Sequence, residues 1–294
     1  MKKHPVFDLW LHDDEELETI AGAGICERKT LREWPLSFVE RVILQDGTSR
    51  IYKSQRGLPV EPAFYRKAHS KHIPAIYYNH SYGDDHWMLF EDIDGRHPSA
   101  LDREDLLSLG LKVRGITAAL GNIEPYRYDL SEKGYVFFAN STVELLNALH
   151  AEGKLKMTDD SAILRIKEAF NHPEVLRTVG GRCVLLHGDL KCDNILIRAN
   201  SDVMLIDWQS VLFGPEILDI YSLMATQAMD SVPIAGIGPE ILRMGLEMRW
   251  FADNLNTWMP NAVFLDGWIS NIEMHMRHVI ENDGYNGIAV YYFH

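Results

Sequence analysis

The stretch from Cys183 to Trp208 constrains this chain more than any other part of it. Three short apolar runs, Cys183-Val184-Leu185-Leu186, Ile195-Leu196-Ile197 and Val203-Met204-Leu205-Ile206, alternate with polar loops. Rich in branched side chains and bounded by turn residues, they read as short strands. The polar residues of His187-Gly188-Asp189-Leu190-Lys191-Cys192-Asp193-Asn194, and Asp207 further on, therefore fall at strand ends, where functional groups are usually presented. Asn194 lies five positions after Asp189, and Asp207 eighteen. A hairpin of the second and third runs would fold Asp207 back toward Asn194. A carboxylate that takes a proton from an attacking hydroxyl, with an amide and a carboxylate able to hold Mg²⁺, are parts that phosphoryl transfer needs. Asp189 alone would read equally well as a turn aspartate bonded to its own backbone. The three residues together favour chemistry.

Composition narrows the partners. With 46% hydrophobic and 24% charged residues, the 294-residue chain has the make-up of a globular enzyme and is long enough for one large core or two lobes. Its 42 acidic and 29 basic side chains give a net charge of −13, which repels phosphate backbones and anionic lipid headgroups. Neither nucleic acid nor membrane is expected as a partner. Acidic groups near the site would favour a cationic substrate, although a soluble surface accounts for the charge as well. Cys26, Cys183 and Cys192 form no CxxC pair and leave an odd count, which suits a reducing cytosol. Met1-Lys2-Lys3-His4-Pro5 runs into Asp13-Asp14-Glu15-Glu16 without an apolar signal segment, and no apolar run reaches the ~18 residues of a membrane span. A cytoplasmic protein is expected; oligomeric state has no signature in the sequence.

Along the chain, strands come first and helices later. Asp14 to Ile20 reads as a short helix with an acidic first turn. Phe38 to Leu44 and Ser49 to Lys53 flank Asp46-Gly47, a strong hairpin signal. Glu61 to Lys71 follows as a helix, then strands at Ala75–Tyr78 and His86–Phe90. From Ser99 on, helical spacing predominates: Asp102–Leu120, Thr142–His150, Ala162–Phe170, Pro215–Met229, Glu240–Leu255 and Ala262–Ile280. The predicted architecture is α+β, an N-terminal antiparallel sheet with a packed helix (residues 1–93) and a mainly helical lobe with a short strand insert (94–294). The shift near Glu91 to Gly95 marks the expected hinge, with a cleft between the lobes.

The HGD-x-x-x-x-N segment and Asp207 resemble the aminoglycoside phosphotransferase and choline kinase-like family, small-molecule kinases with a protein-kinase-like two-lobed fold. Gly188 sets the chain with these rather than with the HRD loop of protein kinases. The resemblance implies ATP and Mg²⁺ as cofactors, Asp189 as the base, and Asn194 and Asp207 as Mg²⁺ ligands. Lys191 matches the lysine that reaches the transferring phosphate in HRDLK loops; a solvated loop lysine is the alternative.

Further residues fit the same scheme. Lys53 ends a strand after a hairpin and Glu61 opens the next helix, so a strand–helix ion pair could hold the lysine against the α/β-phosphates of ATP. A surface lysine and an unrelated first-turn glutamate are the alternative, but the lysine on the third long strand with the glutamate on the helix after it resembles the kinase arrangement and favours function. The segment Leu31 to Phe38, where a glycine-rich loop would cover the phosphates, has no glycine; Ser37 is the candidate there. Gly22 and Gly24 come too early and read as a helix stop. Met88 to Gly95 resembles the adenine-binding strand, with the Glu91 carbonyl and Ile93 amide as its backbone contacts. Asp219 resembles an aspartate that braces the catalytic loop. His275 and His278 share a helix face without a third ligand at diagnostic spacing. The expected reaction moves the γ-phosphate to a hydroxyl of a small molecule of the aminoglycoside, choline or homoserine kind. A protein kinase, an AMP-transferring enzyme and a catalytically silent kinase-like scaffold are the alternatives. Glu216, Asp230, Glu273, Glu281 and Asp283 are acidic candidates for the acceptor pocket.

Overall fold

The computed structural model describes residues 1–225 and 236–282. Two-residue strands β1 (Lys2–Lys3) and β2 (Trp10–Leu11) pair ahead of α1 (Asp14–Ala21). A reciprocal cap starts that helix: Asp13 accepts from the Glu16 N–H, and Glu16 accepts from the Asp13 N–H. Gly22 ends it at φ 73°, a backbone conformation glycine adopts without steric cost.

Next come β3 (Ile25–Trp34), β4 (Ser37–Leu44), β5 (Ser49–Arg56), α2 (Val60–Lys67), β6 (Ile76–Tyr82) and β7 (Asp85–Glu91). They form one antiparallel sheet in the order β3-β4-β5-β7-β6, with α2 against it. Burial alternates strictly along β4, putting Phe38, Val42 and Leu44 into a core with Leu17, Tyr52, Trp87 and Leu89. Glu40 lies on the same buried face, where Arg28 Nε donates to it at 2.9 Å. The glycine-free segment 31–38 is a tight hairpin, with Trp34 paired to Ser37 across Pro35-Leu36. One expectation is corrected: the helix expected over Glu61–Lys71 stops at Lys67.

The second half begins with α3 (Arg103–Leu120), α4 (Glu132–Ala151), α5 (Asp160–Phe170) and α6 (Pro173–Val179), followed by β8 (Cys183–Leu186). The hairpin β9 (Ile195–Ile197) and β10 (Val203–Leu205) comes next, then β11 (Leu212–Pro215), antiparallel to β8. Helices α7 (Ile217–Ala225), α8 (Ile237–Asn256) and α9 (Phe264–Glu281) complete the described chain. The helix expected from Pro215 thus begins at Ile217, because Pro215 is held in β11; the expected end at Met229 lies outside the described residues. Helix α4 starts ten residues earlier than the Thr142 expected.

The α+β expectation holds. Contacts group the chain into two compact units, Met1–Pro98 with Ile123–Arg127 and Asp193–Ser210, and Ser99–Asn122 with Tyr128–Cys192 and Val211–His294. The second unit has its own core, in which Phe138, Leu146, Leu149, Ile166, Phe170, Ile241, Met248 and Ile269 are buried. Truncating one such leucine or isoleucine to alanine typically costs ~2–5 kcal/mol. No described helix is long and apolar enough to cross a membrane.

Candidate active site

In the first unit the sheet aims Lys53 at two carboxylates. Lys53 lies in β5 between Val39 of β4 and Met88 of β7, flanked by hydrogen-bonded strands on both sides. Its Nζ donates to Glu61 Oε2 at 2.6 Å and to Asp207 Oδ1 at 2.7 Å. Lys53 and Glu61 are 7% and 1% exposed, so the contacts are shielded from water. Burial disfavours the ammonium, yet Asp207 and Glu61 outweigh it and hold the Lys53 pKa above its ordinary value. Burial raises the Glu61 pKa, and Lys53 only partly offsets this.

Two carboxylates, Glu61 and Asp207, face one ammonium here. Asp207 and the buried Asn194 offer hard oxygen donors of the kind Mg²⁺ prefers, so the residues present fit that ion. Among the described residues, no three His, Cys, Asp or Glu side chains converge as a metal cluster.

The β9–β10 hairpin sets these two donors. Ile195 pairs with Leu205, and the Ile206 N–H donates to the Asn194 carbonyl at 3.0 Å, so the chain closes on itself between Asn194 and Asp207. Asp207 has φ 64°, a left-handed conformation costing ~1–3 kcal/mol in non-glycine residues and concentrated at functional sites. Trp208, fully buried, stacks on Phe64 of α2 at 4.2 Å, and its backbone N–H donates to the Glu61 carboxylate. Phe64 and Glu61 are three apart on one helix, hence on one face. The same face of α2 thus docks both the Asp207 turn and the lysine partner.

In the second unit, β8 delivers the loop His187-Gly188-Asp189. Gly188 has φ 81°, and the Asp189 N–H approaches His187 Nδ1 at 3.4 Å. Asp219, in the first turn of α7, accepts from the His187 N–H at 2.7 Å and the Gly188 N–H at 3.0 Å. Burial raises the Asp219 pKa against the opposing pull of His187 and these two amides. Lys191 Nζ sits 3.1 Å from Asp189 Oδ2. Asp219 is therefore a backbone brace beneath Asp189.

Elsewhere in the first unit, Ser37 of β4 pairs with Gln55 of β5, and Ile93 is buried just beyond β7. The Glu91 side chain pairs with Arg198, a partner that sequence reasoning missed because 107 positions separate the two. Among the acidic acceptor candidates, Glu216 pairs with Arg114 at 3.5 Å and Glu273 with Arg165 at 2.5 Å. Glu273 and Glu281 line a groove of ≈ 260 Å³ between α5 and α9. Asp230 and Asp283 lie outside the described residues.

The chain has counterparts among known proteins. The profile described as "Phosphotransferase enzyme family" matches residues 35–245. No curated protein sequence matches. Among solved structures, a thermostable mutant of aminoglycoside phosphotransferase APH(4)-Ia in its apo form is 14% identical, with 93% of this chain and 100% of that one covered at a TM-score of 0.60. Choline kinase LicA from Streptococcus pneumoniae is 11% identical (92% and 97% covered, TM-score 0.56). ADP-bound aminoglycoside phosphotransferase APH(2'')-Ib is 17% identical (88% and 95% covered, TM-score 0.53). At such identities the likeness is one of fold. The family profile spans well over half of the sequence, and the chain belongs to the phosphotransferase enzyme family.

Proposed function

We propose that this protein is a kinase that moves the γ-phosphate of ATP to a hydroxyl of a small molecule. The observation that carries the reading is the buried Lys53 ammonium held by Glu61 and Asp207, an arrangement suited to anchoring a nucleotide triphosphate. An ADP-bound relative of the same fold supports the choice of nucleotide.

In this reading Lys53 orients the α- and β-phosphates while Glu61 fixes its direction. Ser37, in the hairpin over the phosphates, adds a donor, and the Glu91 carbonyl and Ile93 N–H receive adenine. Asn194 and Asp207 would hold Mg²⁺, whose charge would offset the charge developing on the transferring phosphoryl group. Asp189 takes the proton of the acceptor hydroxyl, and Lys191, 3.1 Å from it, holds its carboxylate in place. Residues 1–93 then form the nucleotide lobe and 94–294 the catalytic and acceptor lobe of a cytoplasmic enzyme. Rate enhancement comes from positioning and electrostatics.

The test is ADP release from Mg·ATP across aminoglycosides, choline, ethanolamine, homoserine, sugars and macrolides. Amine-bearing acceptors come first because the chain carries a net charge of −13. Acceptor-dependent ADP formation is expected. Pyrophosphate without ADP would replace the reading with AMP transfer, phosphorylation of added polypeptide with a protein kinase, and nucleotide binding without turnover on any acceptor with a silent scaffold.

A further inference from the structure

The hairpin carrying Asn194 and Asp207 is gripped along both edges. On the β9 side, Arg96 and Ile197 exchange backbone hydrogen bonds of 3.0 and 2.8 Å, and His97 Nδ1 lies 2.9 Å from the Ile195 carbonyl. Gly95 permits this approach, because a Cβ there would stand 3.2 Å from the Ile197 carbonyl oxygen. On the β10 side, the Leu205 N–H donates to the His72 carbonyl at 2.8 Å, and His72 Nδ1 lies 2.8 Å from the Val203 carbonyl.

Side chains complete the grip. Glu91 pairs with Arg198, the residue that follows β9, and also accepts from the Ala75 N–H at 3.2 Å. Asp92 is tied in turn to Arg41 Nη2 at 3.1 Å and to Ser49 Oγ at 2.6 Å. Residues 91–97 therefore run as a strap from the sheet to the hairpin. Arg198 Nε is buried without a hydrogen-bond partner, so the Glu91 carboxylate is what holds this guanidinium in place.

Magnitudes separate two roles for the pair. Its side chains are 34% and 30% exposed, and an ion pair that wet contributes ~1 kcal/mol or less to stability. Outer partners that orient metal ligands, by contrast, typically change metal affinity by ~10–100-fold. We propose that Glu91 and Arg198 are positioning residues whose ion pair fixes the β9–β10 hairpin and thereby sets the magnesium-dependent share of nucleotide affinity. The proposal rests on the nucleotide reading above and adds to it a side-chain ion pair that does not itself touch the nucleotide, the Glu91 contact there being its backbone carbonyl.

The experiment is calorimetric titration of ATP into the full chain, with Mg²⁺ varied and with EDTA, alongside thermal melts. In Arg198→Ala the half-saturating Mg²⁺ concentration should rise by about tenfold. Affinity for ATP in EDTA should stay within about twofold, and the melting temperature within a few degrees. The charge swap E91R/R198E should recover most of the magnesium response. If Arg198→Ala does not fold, Arg198→Lys, which keeps the charge but loses the guanidinium fork, carries the same readout. An unchanged magnesium requirement, or an equal loss of affinity with and without the ion, would overturn the proposal. Failure of the unaltered protein to bind ATP at any Mg²⁺ concentration would instead remove the nucleotide reading, and this inference with it.

Discussion

The Lys53 cluster and the Asp189 loop achieve order by opposite means. Lys53 and Glu61 are almost completely buried, and their side chains pair directly with each other and with Asp207. Asp189 and Lys191 are 34% and 30% exposed, and the rigidity around them comes from backbone amides of the loop bonded to the buried Asp219. The difference suits the proposed tasks. Groups proposed to hold one nucleotide geometry would gain from a fixed, dry setting, where electrostatic interactions are strong. A base proposed to meet an incoming hydroxyl would have to remain reachable, with its scaffold fixed and its side chain accessible.

Substitutions at the two regions should therefore fail differently. Asp189→Ala should lower turnover by ~10²–10⁴-fold, the usual share of a general base, with Mg·ATP affinity within about twofold. Turnover near that of the unaltered protein in ADP-release assays would remove Asp189 from the chemistry. Lys53→Met should act on folding as well as binding, because it leaves Glu61 and Asp207 facing each other without their cation. Breaking a buried pair in this way costs ~3–5 kcal/mol, readable by urea unfolding, and K53M/E61Q should recover part of it. Equal stabilities of K53M and the unaltered protein would mean that the cluster is far wetter than its burial implies.

Asp219→Asn should cost less, ~1–3 kcal/mol, since an amide can replace only one of the two acceptor oxygens. Its pH dependence has a definite sign. Burial raises the Asp219 pKa above its ordinary 3.8, so the native chain holds that proton more tightly than the unfolded chain does. The associated stability is present below the unfolded value and is lost as pH rises through the raised native value. The melting temperature of the unaltered protein minus that of D219N should accordingly shrink as pH increases across that window. A difference that grows with pH would contradict the burial argument. Smallest of all, Ser37→Ala should raise the KM for ATP by at most about tenfold, the share of one neutral hydrogen bond, without altering the melting temperature. A larger rise would give Ser37 a more central role.

Legibility in the sequence followed burial pattern and local spacing. The β4–β5 hairpin showed itself through Asp46-Gly47, α1 through its acidic start and Gly22, and the β9–β10 hairpin through two apolar runs separated by turn residues. Strand β3 stayed hidden because Ile25-Cys26-Glu27-Arg28-Lys29 onward lies at a sheet edge with most side chains in solvent, so no alternation marks it. The first turns of α4 were missed because Val136 and Phe137 are 57% and 76% exposed, which breaks the apolar stripe. For the candidate site, the contact of Lys53 with Glu61 spans only eight positions, and sequence order suggested it. Its contact with Asp207 spans 154, and only the folded chain reveals it. The strap around Gly95, Glu91 and Arg198 had no sequence signal for the same reason.

In the proposed function Asp207 is shared between Lys53 and a cation, and nucleotide binding should therefore depend on magnesium. Titrating Mg·ATP into the unaltered protein and into Asp207→Asn tests it most directly, because asparagine keeps the size and tolerates the left-handed backbone. Saturable, magnesium-dependent binding by the unaltered protein that falls by at least about tenfold in the variant is the predicted result. Equal affinities, or binding indifferent to magnesium in both, would contradict the account.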